Sequence, residues 1–568
     1  MTALFPAPPE SSEPGPRLYV EFGHVQGMLQ PATPMGMATL KSVLAGMLAS
    51  FGIAVEIVDI GGRLYGDLTD AMRDPAARQR LVKLMAVDFG PRAQAVVEHL
   101  LDDPRFTPRR SARRPRAAAL TAAPRAVAGI LRTLARPEAA RAGVFGEIER
   151  LRRRPVTDPA TAAELLDLLE DGAPPHTGDA ILWPVVTGLL VCAALPPLLK
   201  GIAGDDEIHT VLGGMPHNVT IEMDLALWQV ARRAAPYREM LLGTPPDKLA
   251  AAHLAGELPD FGMAEFLDAY GIRSAAEVDV GVPRWSEDPT PVFVMLANCL
   301  RVTDPEQAPD RRFERAAARA EKTLTELARR ARRERPLRGR IAGFFLRRAR
   351  ELTGLREAGK LAGLYSLRDR RRRLLAIGAA LRADGLLERG DDVMFLTLPE
   401  LRRAVESGAD LREAVRERRS THERELRRRT VPVALLCDGT DAETLLPART
   451  ADDRTLTGVG AASGRVSGRA RVVHDPASAS IEPGEILVAP TTDPGWTPLF
   501  LTAGGLVTET GAVLAHGPTV AREYGIPAVI CVPDATARIR TGQLITIDGA
   551  AGTITLGRDT AAEDLGRH

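Results

Sequence analysis

The chain has 568 residues, 45% of them apolar and 26% charged, a globular composition too long for one hydrophobic core, so about two to four domains are expected. Its 74 basic and 73 acidic residues leave a net charge of +1, which excludes the sustained positive excess of a dedicated nucleic-acid binder. Cys192, Cys299, Cys437 and Cys531 are scattered with no Cys-x-x-Cys pair, so neither a zinc site nor a disulfide framework is indicated and all four read as small core residues.

Residues 1–16 are rich in Pro and Ser and read as a disordered tail. They lack the basic start and apolar run of a signal peptide, and the cytoplasm is the expected location. Residues 17–440 read as one mainly helical body, with a possible subdomain break near 105–160. Within it "IAVEIVDIGGRLYGDLT" predicts a strand pair and a turn, and "PAARQRLVKLMAVDFGPRAQAVVEHLLDD" predicts helix. The Arg-rich stretch "RRSARRPRAA" is expected to be a linker or a solvated helix face. "AILWPVVTGLLVCAALPPLLKG" is apolar, but its uninterrupted core is too short for a membrane span; a buried helix ended by Pro196 and Pro197 is expected.

Further on, "AAARAEKTLTELARRARRE" and "LREAGKLAGLYSLRDRRRRLLAIGAALRADGLL" carry apolar residues at three- and four-residue spacing and predict long amphipathic helices. Arg356 and Lys360 stand at i and i+4 on one face, where they could clamp a phosphoryl group or simply line a solvated face. The chain has only six lysines, Lys360 among them. Arg273, Glu277 and Asp279 form a polar turn after "AEFLDAYG", readable as a binding site or as a salt-bridge cluster, and Arg284 and Trp285 just beyond could equally hold the fold. Residues 441–455 read as a linker, 456–557 as a small strand-rich domain closing on a hairpin near Asp548, Gly549 and Gly552, and 558–568 as a tail.

The chemistry concentrates in "TETGAVLAHGPTVAREYGIPAV". Gly511 breaks a buried strand, Gly517 and Pro518 start a helix over Thr519 to Tyr524, Gly525 ends it as a left-handed cap, and Pro527 prevents its continuation. His516 therefore stands at a helix N-terminus, where unpaired N–H groups and the helix dipole attract phosphate and disfavour the imidazolium. A neutral ring there can attack a phosphoryl group, with Gly511, Gly517 and Arg522 as phosphate-binding residues. A capping or surface histidine is the plain alternative.

This stretch resembles the phosphohistidine, or swivelling, domain of the PEP-utilising enzyme family, through Thr508, Gly511, His516, Ala521, Arg522, Gly525, Ile526, Pro527, Ala528 and Val529. "GRVSGRARVV", "ILVAPTTDPGWTPLF" and "TGQLITIDGAAGTI" fit the same domain. Upstream, "QPATPMG", "GMPHNVTIEMDLAL", "FLDAYGIRSAAEVDVGVPRWSEDPTPV", "LREAGK" and "LERGDDVMFLTLPELR" are similar to the helical substrate-binding domain of the rifampicin phosphotransferase branch. The resemblance implies a multidomain α+β fold: a large, mainly helical acceptor domain followed by a small β/β/α swivelling phosphohistidine domain. It implies that His516 carries the phosphoryl group, that Arg356 and Lys360 are catalytic, and that Arg273, Glu277 and Asp279 bind substrate. Two departures stand out: the family usually has Ser or Thr where Ala515 stands, and often Gly where Ala512 stands.

The ATP-grasp domain of such enzymes and the PEP-binding barrel of PEP synthase find no counterpart, and no Walker-type G-x-x-x-x-G-K-[ST] is present. The expectation is a phosphotransferase chain that binds no cofactor or metal itself, with ATP and magnesium held by an ATP-grasp protein in trans. It would pass the phosphoryl group to the hydroxyl or carboxylate of a small, largely apolar molecule. No nucleic acid or membrane partner is expected. The competing expectation is a non-catalytic ligand-binding or regulatory protein descended from such an enzyme.

Overall fold

A computed structural model of the chain describes residues 5–6, 8, 16–23, 28, 30–50, 55–85, 89–108, 117–155, 161–171, 178–428, 431–446, 454–474, 476, 479, 481–492, 496–513 and 515–557. Most of the expected amino-terminal tail, "RRSARRPR", much of the expected linker and the carboxy-terminal tail lie outside the described residues. The described part is a multidomain α+β chain with a mixed-sheet domain at its carboxy-terminal end.

Four strands make a small antiparallel sheet: β1 (Leu18–Glu21), β2 (Ile57–Ile60), β3 (Arg63–Asp67) and β4 (Ala434–Leu436), in the order β2-β3-β1-β4. The β2–β3 hairpin turns on Gly61 and Gly62, both at positive φ, as the strand-pair reading expects. The expected single helix after it is two helices, Pro75–Leu84 and Gly90–Leu101. Gly90 at φ 83°, followed by a proline, restarts the chain in a new direction. β4 comes from far along the sequence, in a turn-rich passage with no strand signal, and pairs with β1 through Leu18–Leu436 and Val20–Ala434.

Between these strands the chain is helical. Helix Asp179–Leu199 is long and apolar enough to cross a membrane by length and composition. It instead packs its buried face, including Val191, Cys192 and Leu195, against helices Pro309–Glu334 and Pro336–Leu352. Gly188 allows the approach, because a Cβ there would lie 2.9 Å from the Leu352 carbonyl oxygen. Contrary to expectation, Pro196 and Pro197 do not end this helix but lie within its last turn. At this end Arg338 donates to the Pro197, Leu198 and Lys200 carbonyls, which have no helical N–H to pair with.

The 28-residue helix α1 (Arg356–Ala383) is the spine of the helical body. Arg371 on α1 is buried and fixes the polar turn that precedes it in sequence: it donates to both Glu287 carboxylate oxygens and, at 2.8 Å, to the Val280 carbonyl.

Strands β5 (Thr455–Thr457), β6 (Val459–Ala462), β7 (Arg465–Val472), β8 (Ile486–Ala489), β9 (Gly505–Thr508), β10 (Ala528–Ile530), β11 (Leu544–Asp548) and β12 (Thr553–Leu556) form the mixed sheet, ordered β5-β12-β11-β7-β8-β9-β10-β6. β7 to β10 run parallel, and β8 to β10 are buried on both faces, with Ile486, Val488, Val507 and Val529 on one and Leu487, Ala489, Leu506 and Ala528 on the other. The β11–β12 turn contains Asp548, Gly549 and Gly552, with Gly552 at φ 67°. One apolar core, containing Phe293, Leu296, Leu499, Phe500, Val520 and Tyr524, runs continuously from the helical body into this domain.

Replacing Arg371 with Ala unties the polar turn from α1 and leaves the Val280 carbonyl and Glu287 without it. Equilibrium urea unfolding should show a loss of about 3 kcal/mol with an unchanged m-value.

Candidate active site

His516 opens the helix α2 (His516–Glu523) as its first residue, so the helix starts three residues earlier than the sequence suggests and Pro518 occupies its third position. Ala515 is the N-cap and supplies no side-chain bond; its carbonyl takes the Thr519 N–H and hydroxyl instead. The helix ends as expected: Gly525 has φ 64°, and Ile526 N–H reaches back to the Ala521 carbonyl. Gly517 is required by packing, since a Cβ there would stand 2.1 Å from the Thr492 hydroxyl oxygen. Gly511 adopts φ 148° in the loop between β9 and α2, and its carbonyl accepts the Cys531 thiol.

The side chain of His516 is buried against the helical body, with Nδ1 4.0 Å from Glu357 Oε2. Glu357 lies in the first turn of α1, where a carboxylate is favoured by the helix N-terminus. Arg356 Nη2 donates to Glu357 Oε1 at 2.7 Å. Lys360, one turn along, lies with Nζ 3.4 Å from Glu277 Oε1. Arg273 Nη1 lies 3.1 Å from the same Glu277 oxygen, and its Nη2 donates to the Thr220 hydroxyl. Arg273 and Glu277 are each only 1% exposed, while Arg356 and Lys360 are part-buried, so three cations and two carboxylates form one cluster beside the imidazole.

Of the residues singled out from sequence, His516, Arg356, Lys360, Arg273 and Glu277 come together here. Asp279 is engaged elsewhere: its carboxylate accepts Thr33 N–H, the Thr33 hydroxyl and Gly281 N–H, tying the amino-terminal segment to the polar turn. Arg522 is also committed within its own domain, donating to the Ala461 and Val513 carbonyls. Arg284 holds the turn through the Glu277 and Asp279 carbonyls. Glu357 was not anticipated, although it lies inside "LREAGK" between the two cations that were. Among the described residues no cluster of three His, Cys, Asp or Glu side chains could hold a metal ion.

Burial pushes the His516 imidazolium down to about 3, with Lys360, Arg273 and Arg356 adding to the effect and Glu357 opposing it. The helix dipole is expected to disfavour the imidazolium; enclosure in the domain boundary is the main cause. For Glu357, burial favours the neutral acid, but Arg356, His516, Lys360 and Arg273 outweigh it and hold the carboxylate ionised well below the usual range. Glu277 is likewise kept low against its burial by Arg273 and Lys360. On the far end of α2, burial pushes the Glu523 carboxyl up to about 7.

This is a mixed-sheet domain that delivers a neutral histidine, at a helix N-terminus, into a charge-balanced cluster on a helical body. Residues 481–552 match the PEP-utilising enzyme mobile domain, and residues 180–357 match the rifampicin phosphotransferase fourth domain. Through these two segments the chain is similar to PEP-utilising enzymes. A rifampicin phosphotransferase of Streptomyces sviceus is 33% identical over 98% of this chain and 64% of its own length, and one of Bacillus subtilis is 27% identical over the same shares. An uncharacterized protein of Mycobacterium tuberculosis is 31% identical over 67% of this chain and 41% of its own. The chain thus spans 64% of the length of the rifampicin phosphotransferases it matches.

The depressed His516 value sets a pH dependence. A free imidazole near 6.5 takes up a proton that the docked ring refuses until about pH 3. The contribution of this group to the docked state is full above about pH 6.5 and is lost progressively as pH falls toward 3. Imidazole nitrogen shifts in NMR spectra should show His516 neutral at pH 5. Lys360→Met should move the titration upward and Glu357→Gln downward.

Proposed function

We propose that the chain is a phosphotransferase in which His516 accepts a phosphoryl group and delivers it to a small, largely apolar acceptor in the helical domain. The observation that carries this reading is the approach of His516 Nδ1 to 4.0 Å from Glu357, inside the Arg356, Lys360 and Arg273 cluster. A buried, neutral histidine is a competent nucleophile toward phosphorus. The donor in this reading is ATP with magnesium on an ATP-grasp protein, so the mixed-sheet domain swivels between donor and acceptor.

In the acceptor half we assign the phosphoryl group to Nε2, the ring nitrogen turned away from Glu357. The P–N bond breaks as the P–O bond to the acceptor forms. An attacking hydroxyl loses one proton and the departing imidazole needs one. Glu357 holds the Nδ1 proton that the ring already carries when Nε2 is phosphorylated, so the ring departs neutral, and the hydroxyl proton passes to solvent. Arg356 and Lys360 stabilise the charge on the transferring oxygens. Arg273 and Glu277 hold Lys360 in place. The similarity to rifampicin phosphotransferases makes a rifamycin-type polyol the first acceptor to try.

The test is incubation with β- and γ-labelled ATP in turn, with and without lysate of the source organism, followed by detection of acid-labile label. Label at His516 is the expected result, and none in His516→Ala. Glu357→Gln should still accept label but transfer it to acceptor about 100-fold or more slowly. Full activity of His516→Ala would overturn the reading.

A further inference from the structure

The far end of α2 makes a second connection to the helical body, on a loop that also touches the acceptor cluster. Glu523 is fully buried. Its Oε2 accepts the Met215 N–H, and its Oε1 accepts Asn218 Nδ2–H at 3.2 Å. The next residue, Tyr524, donates its hydroxyl to Asp224 Oδ2 at 3.2 Å. Arg522 leaves its carbonyl so near Gly213 that a Cβ there would lie 2.6 Å away. Gly213 to Asn218 is a shaped loop rather than slack chain: Gly214 and His217 both have positive φ, at 54° and 64°, and Arg350 donates to the Gly213 carbonyl.

This loop leads directly to the chemistry. The Pro216 carbonyl oxygen would stand 2.3 Å from a Cβ on Gly354, immediately before α1 and its Arg356, Glu357 and Lys360. Asn218 caps helix Val219–Arg233 through Thr220 N–H, and Thr220 in turn receives Arg273. One residue on the delivering helix is thus bonded to the loop that frames both halves of the acceptor cluster.

We propose that Glu523 is a positioning residue, a latch that seats the mobile domain on the helical body and so registers His516 against Glu357. Its purpose rests on the carrier reading, since a domain that must leave for a donor needs a docked state that is specific and reversible. Directed hydrogen bonds supply that specificity: the apolar surface around them drives association but does not fix position to within an ångström. A carboxylate suits the position because it offers two acceptor oxygens to two donors, whereas any neutral replacement leaves a donor facing nothing or another donor.

A reciprocal exchange tests this in the full-length chain. Glu523→Gln puts an amide N–H against Asn218 Nδ2 or Met215 N–H. Asn218→Asp keeps an oxygen for capping Thr220 but sets a carboxylate against Glu523. Hydrogen–deuterium exchange at pH 8, above the raised Glu523 value, should show the Met215 amide and the amides of α2 exchanging at least tenfold faster in each single variant, with the Val507 amide in the β9 core unchanged. In the double variant the amide introduced at position 523 can donate to the carboxylate introduced at position 218, while the amide oxygen accepts Met215 N–H. Protection should then return toward that of the parent. Chemical phosphorylation of His516 by phosphoramidate should proceed at least as fast in the single variants as in the parent. Unchanged exchange in both single variants, or a double variant no better protected than they are, would overturn the latch. Failure of the parent to take label from ATP in the presence of lysate and to be phosphorylated at His516 by phosphoramidate would overturn the carrier reading instead, because amide exchange needs no phosphoryl group.

Discussion

The arrangement turns on one constraint: an imidazole and a carboxylate buried side by side can rest neutral and ionised respectively only if nearby cations favour the anion and disfavour the imidazolium. Arg356, Lys360 and Arg273 do this for Glu357, directly or through Glu277. Without them, burial would protonate the acid or draw a proton onto His516, and in either case the nucleophile or its base would be lost. The cations therefore serve twice, first in setting the resting protonation of the site and then in meeting negative charge brought into it.

That electrostatic balance depends on distant scaffolding. Arg371 pins the polar turn to α1, and Asp279 pins the same turn to Thr33 near the amino terminus. The turn in turn places Arg273 and Glu277. Asp279 reads as a substrate-binding residue in the sequence, yet its three hydrogen bonds are all used to hold chain segments together. The small sheet contributes through β4, which brings the chain back beside β1 before it enters the mixed-sheet domain.

The mixed-sheet domain meets the helical body through a shared apolar core and a small set of directed contacts. Arg312 donates to the Leu501 and Ala503 carbonyls, and Ser463 to the Asp206 carbonyl, alongside the bonds made by Glu523 and Tyr524. Both ends of α2 are thereby fixed: the N-terminal end by the cluster at Glu357 and the C-terminal end by the loop at Met215 and Asn218. A helix held at two ends presents its first residue with little angular freedom.

What the sequence alone determined was local. The helix of His516 could be read from Gly517, Pro518, Gly525 and Pro527, because helix starts and left-handed caps depend on the conformational preferences of a few adjacent residues. The buried strands and the pairing of Arg356 with Lys360 on one face followed from periodicity for the same reason. Tertiary structure decided the rest. Glu357, Asn218 and Glu523 carry no mark in an Arg- and Glu-rich chain that separates them from solvated residues; each acquires its role only when distant segments meet. Arg522 and Asp279 look like ligand-binding groups in sequence and prove to be committed to backbone partners. The depression of the His516 pKa comes mostly from enclosure between two bodies of the chain. Enclosure and the neighbourhood of charges are properties of three-dimensional contact, and no spacing along the chain encodes them.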